Sequence, residues 1–171
     1  GTRGSAGIGL KTLGSAIHKL VRELPVPSLV LGKECGVVAR GYGKVLIPAG
    51  DQESFSAGVE MSVDLLAEDG EIVLYAVTSE EKPLSEESTE NLSQAKQLLD
   101  RKNVSWRYVE DEQMPYSVGY AAQTLKYMRD NDMELVVIPA QVTKRNKHFG
   151  KLDKEAVLLN EDGFHVLCTV D

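Results

Sequence analysis

The opening residues combine glycines and one hydroxyl at a spacing that suits the binding of an anion. Gly1 and Gly4 are followed, after nine further residues, by Gly14 and Ser15. Glycines allow backbone N–H groups to approach phosphate oxygens, and a Gly-Ser pair at a helix N-terminus adds free amides and the helix dipole. A flexible leader ending in a helix cap is the alternative interpretation. A Walker-type loop is excluded, because one extra residue precedes Lys11 and no strand precedes the stretch.

Four other side chains lie in turns after predicted strands, where an open α/β sheet binds its ligands. Asp51 follows the first of these strands in a Gly-Asp-Gln turn, and it is a candidate ligand contact. Turn chemistry alone also accounts for an aspartate at this position. Lys144, Arg145 and Lys147 follow the fourth strand and form a candidate anion-binding cluster, with a solvated loop as the alternative.

No local arrangement of residues predicts a catalytic centre or a metal site. His18, His148 and His165 fall on a predicted helix, a loop and a strand, and none has a second ligand at metal spacing. Neighbouring residues assemble no Ser-His-Asp or Cys-His arrangement. Cys35 and Cys168 form no CxxC pair and lie in or beside apolar runs, which predicts buried, reduced thiols and a cytoplasmic location.

The composition excludes some classes of function. A net charge of −7 over 171 residues argues against nucleic-acid binding, because neutralising phosphates requires a basic face. The apolar runs are far shorter than the stretch of about 20 residues that crosses a bilayer. The length leaves room for one domain, or one domain with an appendage.

Alternating strands and helices predict the elements that must position these side chains. The strands are expected at residues 44–49, 71–77, 104–109, 135–139 and 164–170, and the helices at 54–68, up to about 101, 116–130 and 152–160. Asp69 and Gly70 are expected to end the first of these helices. Continuously apolar strands alternating with helices predict an open, doubly wound parallel sheet of five strands, covered on both faces.

An additional helix and strand precede this five-stranded module. Residues 15–23 predict a helix with Ile17, Leu20 and Val21 on one face, and residues 25–31 predict a strand. An isolated edge strand is a liability, because its backbone N–H and C=O groups have no partners. Residues 26–31 are therefore expected to pair with residues 164–170, of this chain or of a neighbouring copy.

Several of these features together resemble the universal stress protein family. The glycine pattern over residues 1–15 matches the family signature G-x2-G-x9-G-[S/T], and residues 20–31 continue in a similar way. Residues 44–48 (KVLIP) and 136–139 (VVIP) resemble the family's first and fourth strands. The resemblance implies an adenine nucleotide alpha hydrolase-like fold. It also implies phosphates of ATP or AMP on the glycine motif, with Mg²⁺, and an acidic nucleoside contact for which Asp51 is the nearest match.

The order of the motifs departs from that of a single family member, where the glycine motif follows the fourth strand. Residues 140–151 occupy that position and keep one glycine of the motif. The sequence therefore predicts a tandem protein: residues 1–31 end one repeat, 32–43 form a linker, and 44–171 form a second repeat with a degenerate phosphate loop. In the alternative, the N-terminal motif docks back onto the module and completes its site.

The resemblance implies a regulatory domain that binds adenine nucleotide and at most hydrolyses ATP slowly. Family members often pair through their last strands, so a homodimer through residues 26–31 and 164–170 is expected. The alternative is a cytoplasmic regulatory domain of a membrane transporter in the same polypeptide, which needs no nucleotide. An adenylate-forming enzyme is least favoured, because residues 48–51 lack the serines and glycines such enzymes carry after the first strand.

Overall fold

The computed structural model describes residues 16–17, 19–32, 40–114, 120–140, 157–158, 160 and 162–170. Within them the strands are β1 (Ser28–Val30), β2 (Tyr42–Pro48), β3 (Leu66–Thr78), β4 (Ser105–Glu112), β5 (Leu135–Pro139) and β6 (His165–Thr169). The helices are α1 (Phe55–Leu65), α2 (Glu86–Arg101) and α3 (Tyr120–Asp130). Residues 16–17, 19–23 and 157–158 are also helical.

β2 lies near the centre of a six-stranded sheet in the order β1-β6-β5-β2-β3-β4. Strands β2 to β6 pair in parallel with their neighbours, and β1 pairs antiparallel to β6. The chain leaves β2 towards β3 on one side and returns as β5 on the other, so the winding direction reverses beside β2. The predicted doubly wound sheet with an extra N-terminal strand is confirmed. The reversal places a crevice between the carboxyl ends of β2 and β5.

Successive side chains of the strands pack on opposite faces of the sheet. Val45 and Ile47 of β2 belong to the apolar cluster that contains residues of α1 and α2, whereas Leu46 belongs to the cluster that contains residues of α3. These three side chains are at most 1% exposed. Burying each contributes roughly 1.5–3 kcal/mol, so β2 is fixed from both faces and offers a rigid base for the loop that follows it.

The first helix is shorter than predicted and the next strand is longer. α1 ends at Leu65, and Leu66 is already extended, with φ −76° and ψ 142°. Asp69 and Gly70 therefore lie inside β3, and the prediction that they end the helix is wrong. The register with β2 shifts beside Tyr42, and a Cβ on Gly70 would lie 2.8 Å from the carbonyl oxygen of Tyr42. A close backbone contact at this irregularity explains the glycine.

The N-terminal helix and strand pack against the far edge of the sheet. Leu29 of β1 lies opposite Leu167 of β6, so the expected pairing of residues 26–31 with residues 164–170 is confirmed within one chain. Val21 is 4% exposed and packs in the core, but Leu20 is 58% exposed. The prediction that Leu20 shares the buried face is therefore wrong.

The remaining boundaries differ little from the prediction. β4 continues to Glu112, three residues beyond the predicted end at 109, and β5 has its predicted bounds. The domain division at residues 31, 32–43 and 44 stays a prediction. Across the described residues, no helix combines the length and apolar character needed to cross a membrane.

Candidate functional site

The loop that follows β2, residues 49–54, is held by backbone and side-chain hydrogen bonds. The N–H of Ala49 donates to the carbonyl oxygen of Tyr75 over 2.7 Å. The side-chain amide of Asn91 in α2 donates to the carbonyl oxygens of Gly50 and Gln52, at 3.0 Å and 3.2 Å. Asp51 and Gln52 lie between these two carbonyl groups, so the backbone of this pair is held at both ends.

Asp51 carries a carboxylate oxygen that lacks a hydrogen bond. Its Oδ1 is shielded from solvent and has no partner among the protein groups. An unsatisfied buried acceptor costs about 1–3 kcal/mol, and such a cost is uncommon in native proteins outside functional sites. The site therefore offers a fixed acceptor to a ligand that brings a hydrogen-bond donor.

A second contact joins the end of this loop to β6. The hydroxyl of Ser54 lies 3.0 Å from that of Thr169, and both side chains are almost fully buried. The backbone carbonyl of Thr169 accepts a hydrogen bond from the N–H of Ala140 over 2.7 Å. The carboxyl ends of β2, β5 and β6 are thereby connected around the crevice.

A small cavity opens beside the same loop, on the face covered by α3. It has a volume of about 20 Å³, and its walls are Pro48, Ala49, Tyr75, Val77, Leu84, Tyr120 and Thr124. A space of this size accommodates one water molecule and is too small for a nucleoside. This cavity can therefore hold at most one small group of a larger ligand.

Tyr75 contributes a buried hydroxyl and an aromatic wall to this cavity. Its Oη donates to the carboxylate of Asp111 over 2.8 Å, and its ring stacks on that of Tyr127 at 4.5 Å between centroids. Burial first, and then the hydrogen bond to Asp111, raise the pKa of the Tyr75 hydroxyl. Tyr75 therefore stays protonated at neutral pH and supplies neither a base nor a nucleophile.

The carboxyl end of β4 is acidic, with Glu110, Asp111 and Glu112 in sequence. The Glu110 carboxylate accepts hydrogen bonds from Tyr108 at 2.7 Å and Thr78 at 2.8 Å. These bonds, first that of Tyr108, hold the pKa of Glu110 below its usual range. The negative charge at this end of β4 disfavours the binding of phosphate beside it.

Asp51 is the one predicted site residue that the structure describes, and it lies in the loop that follows β2. The other predicted ligand contacts lie outside the described residues: Gly1, Gly4, Gly14, Ser15, Lys144, Arg145 and Lys147. Their roles stay predictions. In the described part of the chain, no group of three or more His, Cys, Asp or Glu side chains could hold a metal ion.

Sequence reasoning missed Asn91, Thr169 and Tyr75 as parts of the site. Asn91 is 40 residues from Asp51 on an amphipathic helix, and Thr169 is the last residue of the last strand. Neither belongs to a local motif, because the sheet brings them to the loop through long-range packing. The strand-end position of Thr169 was the one available signal, since parallel strands end at a common edge.

The sheet order, the flanking helices and the crevice beside β2 define an open, doubly wound α/β domain with a universal-stress-protein-like fold. This confirms the fold that the sequence motifs implied.

Three solved structures are similar to this chain. The hypothetical protein MJ0577 superposes with a TM-score of 0.58 at 15% identity, over 76% of this chain and 96% of that one. A universal stress protein family member from Burkholderia pseudomallei gives 0.48 at 17% identity, over 80% and 96%. The hypothetical protein PH0823 gives 0.44 at 18% identity, over 75% and 97%. At 15% identity, the superposition on MJ0577 shows a shared fold alone. No protein-family model and no curated protein matches the sequence.

Proposed function

We propose that this chain is a regulatory domain that binds an adenine nucleotide, ATP or AMP with Mg²⁺, at the carboxyl edge of β2 and β5. The observation that carries the proposal is the unsatisfied Oδ1 of Asp51, held at the point where the sheet reverses its winding. Ribose hydroxyls and the amino group of adenine are donors of the kind this oxygen lacks. Ligands of open α/β sheets bind at this edge.

The phosphates are assigned to the glycine motif that the resemblance identified, Gly1, Gly4, Gly14 and Ser15. Lys144, Arg145 and Lys147, which follow β5 in sequence, are a second anion-binding candidate. The acidic end of β4 supports an arrangement with the phosphates on the opposite side of the crevice. Mg²⁺ would accompany the phosphates and offset part of their charge.

Binding without chemistry is sufficient for the proposed function. The described part of the site contains an acceptor in Asp51 and a protonated phenol in Tyr75, and neither is an activated nucleophile. The domain is therefore proposed to bind nucleotide in the cytoplasm and to hydrolyse ATP slowly at most. A ligand with different affinities for two conformations shifts their populations, which is enough for a role in stress response or regulation.

Calorimetric titration with ATP and Mg²⁺ tests the proposal. Asp51→Asn is expected to lower the affinity by about 10- to 100-fold, because a charge-assisted hydrogen bond contributes about 1.5–3 kcal/mol. A Gly14→Val, Ser15→Ala variant is expected to abolish binding. Asp64→Asn on α1 is the matched control, because it makes the same charge change at an exposed position away from the loop.

Comparing these variants with the wild type distinguishes the role of Asp51 from that of the glycine motif. If ATP binds and only the Gly14 and Ser15 variant loses it, the role of Asp51 is wrong. If the wild-type chain shows neither heat nor thermal stabilisation with ATP or AMP, nucleotide binding is wrong.

If nucleotide binding is wrong, the better proposal is a regulatory domain of a membrane transporter. Such a domain would dimerise and would not bind nucleotide. The observation that favours it is a set of exposed apolar side chains on one N-terminal unit: Leu20 at 58%, Val26 at 53%, Leu29 at 41% and Leu31 at 43% exposure. Apolar groups clustered in this way are typical of protein contact surfaces.

A further inference from the structure

Asn91 approaches the loop after β2 from a different element, the second turn of α2. Its Nδ2 lies 3.0 Å from the carbonyl oxygen of Gly50 and 3.2 Å from that of Gln52. A side-chain amide nitrogen has two hydrogens, so each carbonyl can accept one of them. The reversed orientation would place the amide oxygen against two carbonyl oxygens, and only the nitrogen satisfies both.

These two bonds fix the orientation of two peptide groups, one before Asp51 and one after Gln52. The backbone of Asp51 and Gln52 is therefore held between two fixed peptide groups, and it carries the Asp51 side chain. The loop is also tight, since a Cβ on Gly50 would lie 2.0 Å from Oε1 of Gln52.

The far end of the loop is fixed independently of Asn91. Ser54 contacts Thr169 through its hydroxyl, and its carbonyl accepts a hydrogen bond from the N–H of Gly58 over 2.9 Å. The loop is therefore anchored at both ends and at the Gly50 and Gln52 carbonyl groups, whereas the Oδ1 of Asp51 is buried without a partner. Orienting groups that act through a neighbour in this way are a common feature of preorganised sites.

We propose that Asn91 is the positioning residue for Asp51 in the nucleotide site, an inference that rests on the function proposed above. Asn91 holds the two flanking carbonyls and so keeps the Asp51 oxygen aimed at the ligand before the ligand arrives. Affinity then depends on a residue of α2 that does not touch the nucleotide. The same helix follows Leu84, a wall of the cavity, so α2 and its preceding segment frame one side of the site.

Two Asn91 variants test this role, with ATP and Mg²⁺ as the titrant and amide hydrogen exchange of residues 50–55 measured in the free protein. Asn91→Asp keeps the shape but removes both donors, and Asn91→Leu removes them without adding charge. Both are expected to lower the affinity about tenfold and to speed exchange in the loop. Gln94→Glu, one turn away and exposed, makes the same amide-to-carboxylate change without contacting the loop and is expected to change neither.

A double-mutant cycle separates positioning from general stability. In an Asp51→Asn background, Asn91→Leu is expected to lower the affinity less than it does in the wild type, because the two residues act as one unit. Equal effects in both backgrounds, or unchanged affinity in both Asn91 variants, would overturn the proposal. If the wild type binds no nucleotide, hydrogen exchange alone decides: faster exchange supports positioning of the loop, and unchanged exchange overturns it.

Discussion

His165 is a buried imidazole at the amino end of β6, the end of the sheet opposite the proposed nucleotide site. It is 7% exposed, and its Nδ1 lies 2.6 Å from the hydroxyl of Tyr42, which donates to Nδ1 when the ring proton is on Nε2. The rings of these two residues meet edge to face. Burial lowers the pKa of His165 below its ordinary value of 6.5, and the carboxylate of Glu134 opposes the shift.

The lowered pKa predicts a loss of stability in mild acid. As the pH falls below 6.5, the unfolded chain binds a proton at His165 that the folded chain does not, so the free energy of unfolding decreases. The decrease continues until the pH reaches the lower pKa of the folded state. Urea denaturation measures the free energy of unfolding at pH 7.5 and at pH 5.5. The difference between these two values should be smaller for His165→Gln than for the wild type. Equal differences for the two proteins would contradict this assignment.

At the residue scale, the sequence predicts a candidate ligand contact where a suitable side chain directly follows a predicted strand. Asp51 could be proposed as such a contact because it follows an apolar strand in a turn. The contact between Tyr42 and His165 could not, since the two residues are 123 positions apart and β5 separates their strands. A buried polar pair of this kind depends on strand register, and no local pattern determines register across a sheet of this order.

Helix α2 begins with a well-formed cap, whereas α1 does not. The Ser85 hydroxyl accepts a hydrogen bond from the N–H of Ser88 over 3.1 Å. Glu86 and Glu87 follow in the first turn, where negative charge complements the helix dipole. Ser54 precedes α1 without a capping bond from its side chain, which contacts Thr169. Ser54 is therefore the N-cap residue of α1 without a side-chain capping bond.

Removing the α2 cap is expected to destabilise the domain. Ser85→Ala should reduce the free energy of unfolding by about 1 kcal/mol, because the N–H of Ser88 loses its acceptor. Ser93→Ala on the exposed face of the same helix is the control and should be neutral or slightly stabilising, since alanine has the higher helix propensity. Chemical denaturation of both variants is the measurement, and equal losses would count against the cap.

The pairing of β1 with β6 allows a covalent test with a single new thiol. Ser28 lies directly opposite Cys168, a buried cysteine that forms no disulfide. Facing residues of antiparallel strands lie within the range of distances that disulfides span. In a Cys35→Ser background, Ser28→Cys is therefore expected to form a disulfide with Cys168 on mild oxidation.

Non-reducing electrophoresis reports which chain supplies the strand. A faster-migrating monomer would support pairing within one chain, as the structure has it. A covalent dimer would mean that copies exchange the strand, and the homodimer expected from residues 26–31 and 164–170 would then form by exchange. Without Ser28→Cys, neither product should form.

At the scale of the whole molecule, the covered sheet could be predicted from the sequence, whereas the exact ends of the elements could not. Continuous apolar strands such as β5 indicate a sheet covered on both faces, and this requires no knowledge of neighbours. The end of α1 was predicted wrongly because Asp69 and Gly70 carry the composition of a helix stop while serving a close contact within the sheet. Tertiary packing overrode the local signal there, as it did for Leu20.

The antiparallel contact between Val30 and Val166 also bears on the order of events during synthesis. The ribosome makes β1 before the other five strands and β6 after them, so β1 has no partner until almost all of the described chain has emerged. At translation rates of about 5–20 residues per second, the delay is on the order of ten seconds. An apolar segment that stays unpaired for that long is prone to aggregate, and chaperones bind exposed segments of this kind. The closing strand pair should accordingly be the last part of the sheet to form.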